Sequence, residues 1–266
     1  MPEGDSIFKV AQRLRPALVG KSLSRVELRE RGAVPSLVGK VVERIDVHGK
    51  HMFVYIEPRK VLHVHLGMKG RWRSFPGGVA RRFSPASALA VLGVGNDAYV
   101  CFRAAFARLR SIDDPSVRGA LERLGPDILA EDFDPERAVT RSLAATEGSV
   151  AEVLLDQRVI AGIGNVYKSE VLFLCGILPL TPAADLDAEQ WREIYETARE
   201  LMKANLIPGW RSSTATHKAG RHPGGVERYW VYRRRAAPCL RCKTPIERAT
   251  DGNLDRSTYW CPRCQR

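Results

Sequence analysis

Cys239-Leu240-Arg241-Cys242 and Cys261-Pro262-Arg263-Cys264 stand close to the end of the sequence, two Cys-x-x-Cys pairs with 18 residues between them. Each pair can bite a tetrahedral Zn²⁺ with two thiolates, and the spacer suits a β-hairpin that brings the four sulfurs together. The alternative, two disulfides, needs an oxidising compartment. Met1-Pro2-Glu3-Gly4-Asp5 lacks the basic and apolar segments of a secretory signal. Cys101 and Cys175 lie in distant apolar runs and read as buried thiols. One structural Zn²⁺ on Cys239, Cys242, Cys261 and Cys264 is therefore expected. A closed four-sulfur site has no open coordination position, so such a metal builds a fold and does no chemistry.

Outward from this module the texture changes twice. Residues 229–266 form the expected zinc module, and the Gly-, His-, Ser- and Thr-rich stretch 212–228 reads as a mobile connecting loop. Residues 114–211 read as helical. Asp114-Pro115 and Asp134-Pro135 each offer an N-cap followed by proline at the first helical position. Ser149-Val150-Ala151-Glu152 and Asp187-Ala188-Glu189-Gln190 read as capping boxes. The helix from Ser149 leads into Ala161-Gly162-Ile163-Gly164-Asn165, another runs from Val166 to about Leu174, and Pro208-Gly209 closes the block.

Residues 1–113 begin with a helix. Asp5 or Ser6 is the expected cap, Ile7, Val10, Ala11, Leu14 and Leu18 follow at helical spacing, and Gly20 ends it. Short β segments follow at 25–28, 41–47, 52–56, 61–66, 89–94 and 99–102, punctuated by Gly, Pro and Asp. Their spacing suggests an antiparallel sandwich. The expected fold class is α+β and multidomain, with a β-sandwich behind an N-terminal helix, a helical domain and a four-cysteine zinc finger.

The 266 residues carry a net charge of +12, and 44% of them are hydrophobic. No run approaches the roughly 20 apolar residues of a membrane span, and no basic amphipathic helix points to a membrane surface. Basic residues cluster at Lys69, Arg71, Arg73, Arg81 and Arg82, at Lys218, Arg221 and Arg228, and at Arg233-Arg234-Arg235, Arg241 and Lys243. Three such clusters beside a zinc module point to nucleic acid.

Position 2 is a candidate for chemistry, although proline there is common and alone indicates nothing. Methionine before proline is normally removed, which leaves Pro2 as a terminal secondary amine. Its attack on a sugar C1′ would give a permanently cationic iminium, a good electron sink for elimination. Terminal α-amines titrate at about 7.7–8.0 against about 10.4 for lysine, so roughly a tenth is free base at pH 7. Glu3 beside it supplies a carboxyl group able to move protons at the same carbon.

Met1-Pro2-Glu3-Gly4, Gly49-Lys50, His65-Leu66-Gly67-Met68, Ala161-Gly162-Ile163-Gly164-Asn165-Val166-Tyr167 and Arg256-Ser257-Thr258-Tyr259-Trp260-Cys261 occur in that order. Together they resemble the formamidopyrimidine-DNA glycosylase / endonuclease VIII family of bifunctional base-excision enzymes, across essentially the whole chain. The resemblance implies a β-sandwich, a helix–two-turn–helix domain and a zinc finger, with damaged DNA in the cleft between the lobes. It implies Pro2 as nucleophile and Schiff-base former, and Glu3 as proton donor to the sugar ring oxygen. Lys50 matches the lysine that contacts phosphate near the lesion, Asn165 the asparagine that holds a backbone phosphate, and Arg256 the hairpin arginine on lesion-flanking phosphates. Met68 matches a residue that fills the gap left by a flipped nucleotide, and Lys69, Arg71 and Tyr167 are expected at the DNA beside it.

Two places depart from the family pattern. Asp5 and Ser6 stand where relatives often carry proline and glutamate, and the segment after Tyr99 does not reproduce the second void-filling loop of the purine-directed branch. Gly4 after Glu3 is the endonuclease VIII form. The expected activity is removal of oxidised bases, pyrimidines favoured, with strand nicking by β,δ-elimination. The formamidopyrimidine/8-oxoguanine branch, a non-catalytic DNA-binding protein, and a zinc ribbon of a transcription or translation assembly are the alternatives. A monomer, without organic cofactor or membrane association, is expected in the cytoplasm at the nucleoid.

Overall fold

Burial on both faces marks the central strands of the first half of the chain. In β4 (His51–Ile56) and β5 (Lys60–His65), Met52, Val54, Ile56, Leu62 and Val64 turn inward, because successive strand residues face opposite sides. They belong to one antiparallel sheet with β3 (Val42–His48) and β9 (Phe106–Ser111), in the order β3-β4-β5-β9. The second sheet holds β1 (Arg25–Leu28), β2 (Gly32–Ala33), β6 (Arg71–Phe75), β7 (Ala88–Val94) and β8 (Asp97–Phe102), in the order β2-β1-β7-β8-β6. Inner-face residues of both sheets share one core with Ile7, Ala11, Leu14 and Leu18 of α1 (Gly4–Leu18). Each fully buried side chain of this kind is worth about 1.5–3 kcal/mol. A one-residue slip of β4 would turn Met52, Val54 and Ile56 away from that core, so the register is strongly specified.

The computed structural model describes residues 2–77, 87–207, 228–251 and 256–266, in two compact units, 1–123 and 124–266. Arg81, Arg82, Lys218, Arg221, Pro208-Gly209 and the connecting stretch up to residue 227 lie outside the described residues. Among the described residues no helix is long and apolar enough to cross a membrane.

The six expected strands are present within two residues of their expected bounds, and three more join them. In β9, buried Ala107 and Leu109 alternate with Arg108 and Arg110. In β6 only Trp72 is buried, so two arginines mask a strand that is half solvent-facing. The helix cap needs correction. Glu3, not Asp5 or Ser6, holds the N-cap position of α1, with its carbonyl accepting from Ser6 N at 2.9 Å and Ile7 N at 3.1 Å. Asp5 sits fully buried in the first turn, 3.8 Å from Lys9 Nζ. A carboxylate suits either place, since both lie at the positive end of the helix dipole.

After α2 (Pro115–Glu122), which packs Val117 against Phe53, Tyr55 and Val61 on the outer face of β4 and β5, the second unit is helical. It contains α3 (Pro135–Ala144), α4 (Val150–Leu155), α5 (Asn165–Leu174) and α6 (Ala188–Ala204), then the hairpin β10 (Glu247–Asp251) and β11 (Arg256–Trp260). All four expected caps are made. Asp114 accepts from Ser116 N at 2.8 Å and Asp134 from Glu136 N at 3.0 Å. Ser149 with Glu152, and Asp187 with Gln190, close both capping boxes. Helix α6 buries Trp191, Ile194, Tyr195, Ala198, Leu201 and Met202 along one stripe, as an amphipathic helix must.

Candidate active site and nucleic-acid-binding elements

Pro2 is half-buried and Glu3 is fully buried at the start of α1. The Glu3 carboxylate makes no side-chain cap to its own helix. It stands in the favourable field of the helix N-terminus, in the residue that follows Pro2.

Gly49-Lys50 is the two-residue turn between β3 and β4, closed by the pair His48–His51, with Gly49 at φ 56°. That left-handed backbone suits glycine and is the geometry such tight hairpins demand. Next to Lys50, three strands bring histidines and phenylalanines to one face. His51 Nδ1 lies 2.9 Å from His63 Nε2, Phe53 stacks on His63 at 4.4 Å between centroids, and Phe106 stacks on His65 at 5.7 Å. Burial, reinforced by His65 and His63, pushes His51 down to about 3. Burial, with His65 and Arg108, brings His63 to about 4. Burial and the Lys50 ammonium lower His65 as well. At neutral pH the Lys50 ammonium thus stands beside neutral imidazoles.

This cluster fixes an acid limb. A histidine whose native pKa lies below its unfolded value contributes stability that is present above about 6.5 and lost as pH falls towards 4 and 3, where the unfolded chain binds protons first. Thermal unfolding of the wild type should fall across that window, and His63→Phe should flatten the fall. An unchanged slope in His63→Phe would contradict it.

Met68 tips the turn that follows β5 and is 65% exposed. Glycines lock that turn at both ends. A Cβ at Gly67, which has φ 63°, would stand 3.0 Å from Ala105 Cβ, and one at Gly70 would stand 2.2 Å from Leu66 O. Lys69 and Arg71 are exposed on the same segment.

In the second unit, Gln157 staples the turn that precedes α5. Its amide donates to Leu155 O at 2.9 Å and Ile163 O at 3.0 Å, and accepts from Gly162 N at 3.1 Å. Gly162 has φ 111° and Gly164 is the N-cap of α5. Asn165 starts that helix 6% exposed. Its Nδ2 donates to Ser257 O at 2.7 Å, and Oδ1 has no partner among the described residues. Tyr167, expected at the DNA, lies 1% exposed inside the helical core. Sequence reasoning also passed over two charges embedded in this apolar helix, Lys168 and Glu170, whose presence in Val166-Tyr167-Lys168-Ser169-Glu170-Val171 was the available signal.

The four cysteine sulfurs lie within 4.8 Å of one another, with Cys239–Cys264 at 3.9 Å and Cys242–Cys261 at 3.4 Å. A tetrahedron with Zn–S bonds of about 2.3 Å has edges of roughly this length, so the set fits one zinc ion. Hydrogen bonds from Thr244 draw the Cys242 thiol down to about 6, whereas burial raises Cys261 and Cys264. A divalent cation would make all four thiolates. Around them the basic run is partly internal. Arg234 donates to Trp230 O at 2.6 Å and Pro238 O at 3.0 Å, and Arg241 stacks on Phe173 at 4.6 Å. Arg256 is exposed at the first position of β11, paired in register with Asp251.

Residues 1–103 match the formamidopyrimidine-DNA glycosylase N-terminal domain, residues 124–216 the formamidopyrimidine-DNA glycosylase H2TH domain, and residues 237–266 the zinc finger found in FPG and IleRS. A probable endonuclease 8 2 of Streptomyces coelicolor is 38% identical over 270 residues, covering 100% of this chain and 94% of the relative. The chain belongs to the formamidopyrimidine-DNA glycosylase / endonuclease VIII family.

The DNA-(apurinic or apyrimidinic site) lyase Nei2 of Mycolicibacterium smegmatis is 36% identical over 266 residues, covering 100% of this chain and 99% of that one. Among solved structures, the MutM (Fpg) protein of Thermus thermophilus is 30% identical with a TM-score of 0.78, covering 99% and 98% of the two chains. Lactococcus lactis Fpg, solved in complex with abasic-site DNA, has a TM-score of 0.81 over 100% of both chains at 22% identity, a likeness of fold. Within this family the four cysteines are those of its zinc finger and hold one structural zinc.

Proposed function

We infer that this chain is a bifunctional DNA glycosylase and abasic-site lyase of base excision repair, acting on oxidised bases through Pro2. The observation that carries this reading is the fully buried Glu3 carboxylate beside the N-terminal proline at the head of α1, in a chain matched by lyase and endonuclease 8 relatives over its whole length. The secondary amine bonds to C1′ as the damaged base leaves with the glycosidic electron pair. Glu3 takes up the proton that the Pro2 nitrogen sheds and places it on the ring oxygen, the C1′–O4′ bond breaks, and an iminium remains. That cation takes up the electrons released when C2′ loses a proton, and the 3′-phosphate departs. A second elimination releases the 5′-phosphate, and hydrolysis of the iminium frees Pro2.

Lys50 and Arg256 are each proposed to hold a phosphate that flanks the lesion, with Lys69 and Arg71 on the same DNA backbone. Met68 is proposed to occupy the gap left by the flipped nucleotide, which offsets a few kcal/mol of unstacking. Asn165 is assigned to the same phosphate-binding end of α5, with the backbone amides of its glycine-rich turn. Zinc shapes the hairpin that carries Arg256 and does no chemistry. Oxidised pyrimidines are the proposed substrates, supported by Gly4 after Glu3 and by the endonuclease 8 names of the relatives.

Borohydride trapping on a lesion panel tests this. A covalent adduct is expected with thymine glycol, dihydrouracil and abasic duplexes, and a weaker one with 8-oxoguanine opposite cytosine. The reverse order would assign the chain to purine lesions, and absence of any adduct would remove the catalytic reading.

A further inference from the structure

Lys168 and Glu170 are 1% and 0% exposed in α5. Burying either ion is costly unless hydrogen bonds replace the lost water. The carboxylate of Glu170 is answered by three backbone N–H donors at the entrance of the zinc module, from Trp230 at 2.7 Å, Val231 at 3.0 Å and Tyr232 at 2.8 Å. Lys168 reaches further into the module, donating from Nζ to Thr258 Oγ1 at 2.6 Å. Thr258 is itself 1% exposed. One turn earlier, Asn165 grips the neighbouring Ser257 carbonyl. Residues three apart share a helix face, so α5 presents two adjacent donors to consecutive residues of β11.

The position of this grip matters. Strand β11 runs from Arg256 to Trp260 and continues into Cys261. Its far end is fixed by the metal cluster and by Gln265, which accepts from Cys261 N at 2.8 Å and donates to Ile177 O at 2.9 Å. Asn165 and Lys168 grip the opposite end, the one that carries Arg256. Thr258 and Arg256 are two residues apart on a strand and so project from the same side.

We propose that Lys168 is a positioning residue of Arg256. Its ammonium, held on Thr258, sets the slide and twist of β11 and thereby the direction in which Arg256 offers its guanidinium to a DNA phosphate. This rests on the reading of Arg256 as a phosphate ligand of a DNA glycosylase. A guanidinium fork is sensitive to such aiming, because its parallel donors must match two phosphate oxygens.

The test is a double-mutant cycle in the full-length, zinc-loaded protein, read as affinity for a duplex carrying a tetrahydrofuran abasic analogue. Arg256→Ala should weaken binding by roughly tenfold or more, the loss typical of one charged hydrogen-bonding group. It should also flatten the log–log salt dependence by about one unit. Lys168→Met keeps the length and loses the charge. It should reproduce most of that loss with zinc stoichiometry unchanged, and the double variant should bind no worse than Arg256→Ala alone. Thr258→Val, which leaves Lys168 in place, should behave as Lys168→Met does and carries the cycle if Lys168→Met does not fold.

Losses that multiply in the double variant would overturn the proposal, as would Lys168→Met with wild-type affinity or with lost zinc. A wild-type protein with no preference for the abasic duplex over an undamaged one would instead overturn the glycosylase reading. The two failures are therefore separable.

Discussion

Complete loss of the borohydride-trapped adduct is expected when Met1 is retained or a tag precedes Pro2. The proposed nucleophile is the terminal amine of Pro2, a group of which roughly a tenth is free base at pH 7. An extension turns that nitrogen into an amide, whose lone pair is delocalised into the carbonyl and cannot attack C1′. Binding should survive, because phosphate contacts supply most of the affinity for nucleic acid and the proposed ones lie on Lys50, Lys69, Arg71 and Arg256. The measurement is trapping and binding on the same abasic duplex. An extended chain confirmed intact by mass spectrometry that still forms the adduct would contradict the role of Pro2.

Glu3→Gln should lower excision of an intact lesion by about 10²–10⁴, the contribution that general acid–base catalysis typically makes. Cleavage of a preformed abasic site should fall less, since no base has to depart. Folding should be little affected. Glu3 makes no side-chain cap to α1, and glutamine has the same shape and burial needs. Single-turnover rates on both substrates, together with a melting curve, separate these effects. Equal losses on the two substrates would remove Glu3 as the proton donor to the ring oxygen.

Where local chemistry acts alone, the structure was legible in the sequence. Asp114, Asp134, Ser149 and Asp187 cap their helices because a short polar side chain meets unsatisfied N–H groups three residues away at most. Strands β4 and β5 announced themselves by β-branched and aromatic content. The four cysteines and the hairpin between them followed from ligand spacing. Legibility failed where tertiary context chose among equal local options. Glu3, Asp5 and Ser6 could each begin α1. Tyr167 is amphipathic and could face either DNA or core; packing took it inward.

Charge was the least readable property. Arg234 and Arg241 read as part of a phosphate-binding surface, yet one binds Trp230 O and Pro238 O and the other lies on Phe173. A guanidinium stacks on rings and satisfies carbonyls as readily as it meets phosphate. Asn165, which the motif matches to a phosphate ligand, also gives an Nδ2 hydrogen bond to the carbonyl of Ser257, a contact that the motif does not announce. Partners such as Ser257 lie 92 residues away along the chain, a separation over which no local pattern carries information.

The turn that lifts Met68 into solvent takes its shape from residues other than Met68. Its shape comes from Gly67 and Gly70, where any side chain would strike Ala105 or the Leu66 carbonyl. The exposed tip makes no demand on the sandwich below. Such a socket allows the residue at its apex to be exchanged without refolding the domain; with Met68 in its proposed place in the gap of a flipped nucleotide, single substitutions there would alter lesion preference while Pro2 and Glu3 stay as they are.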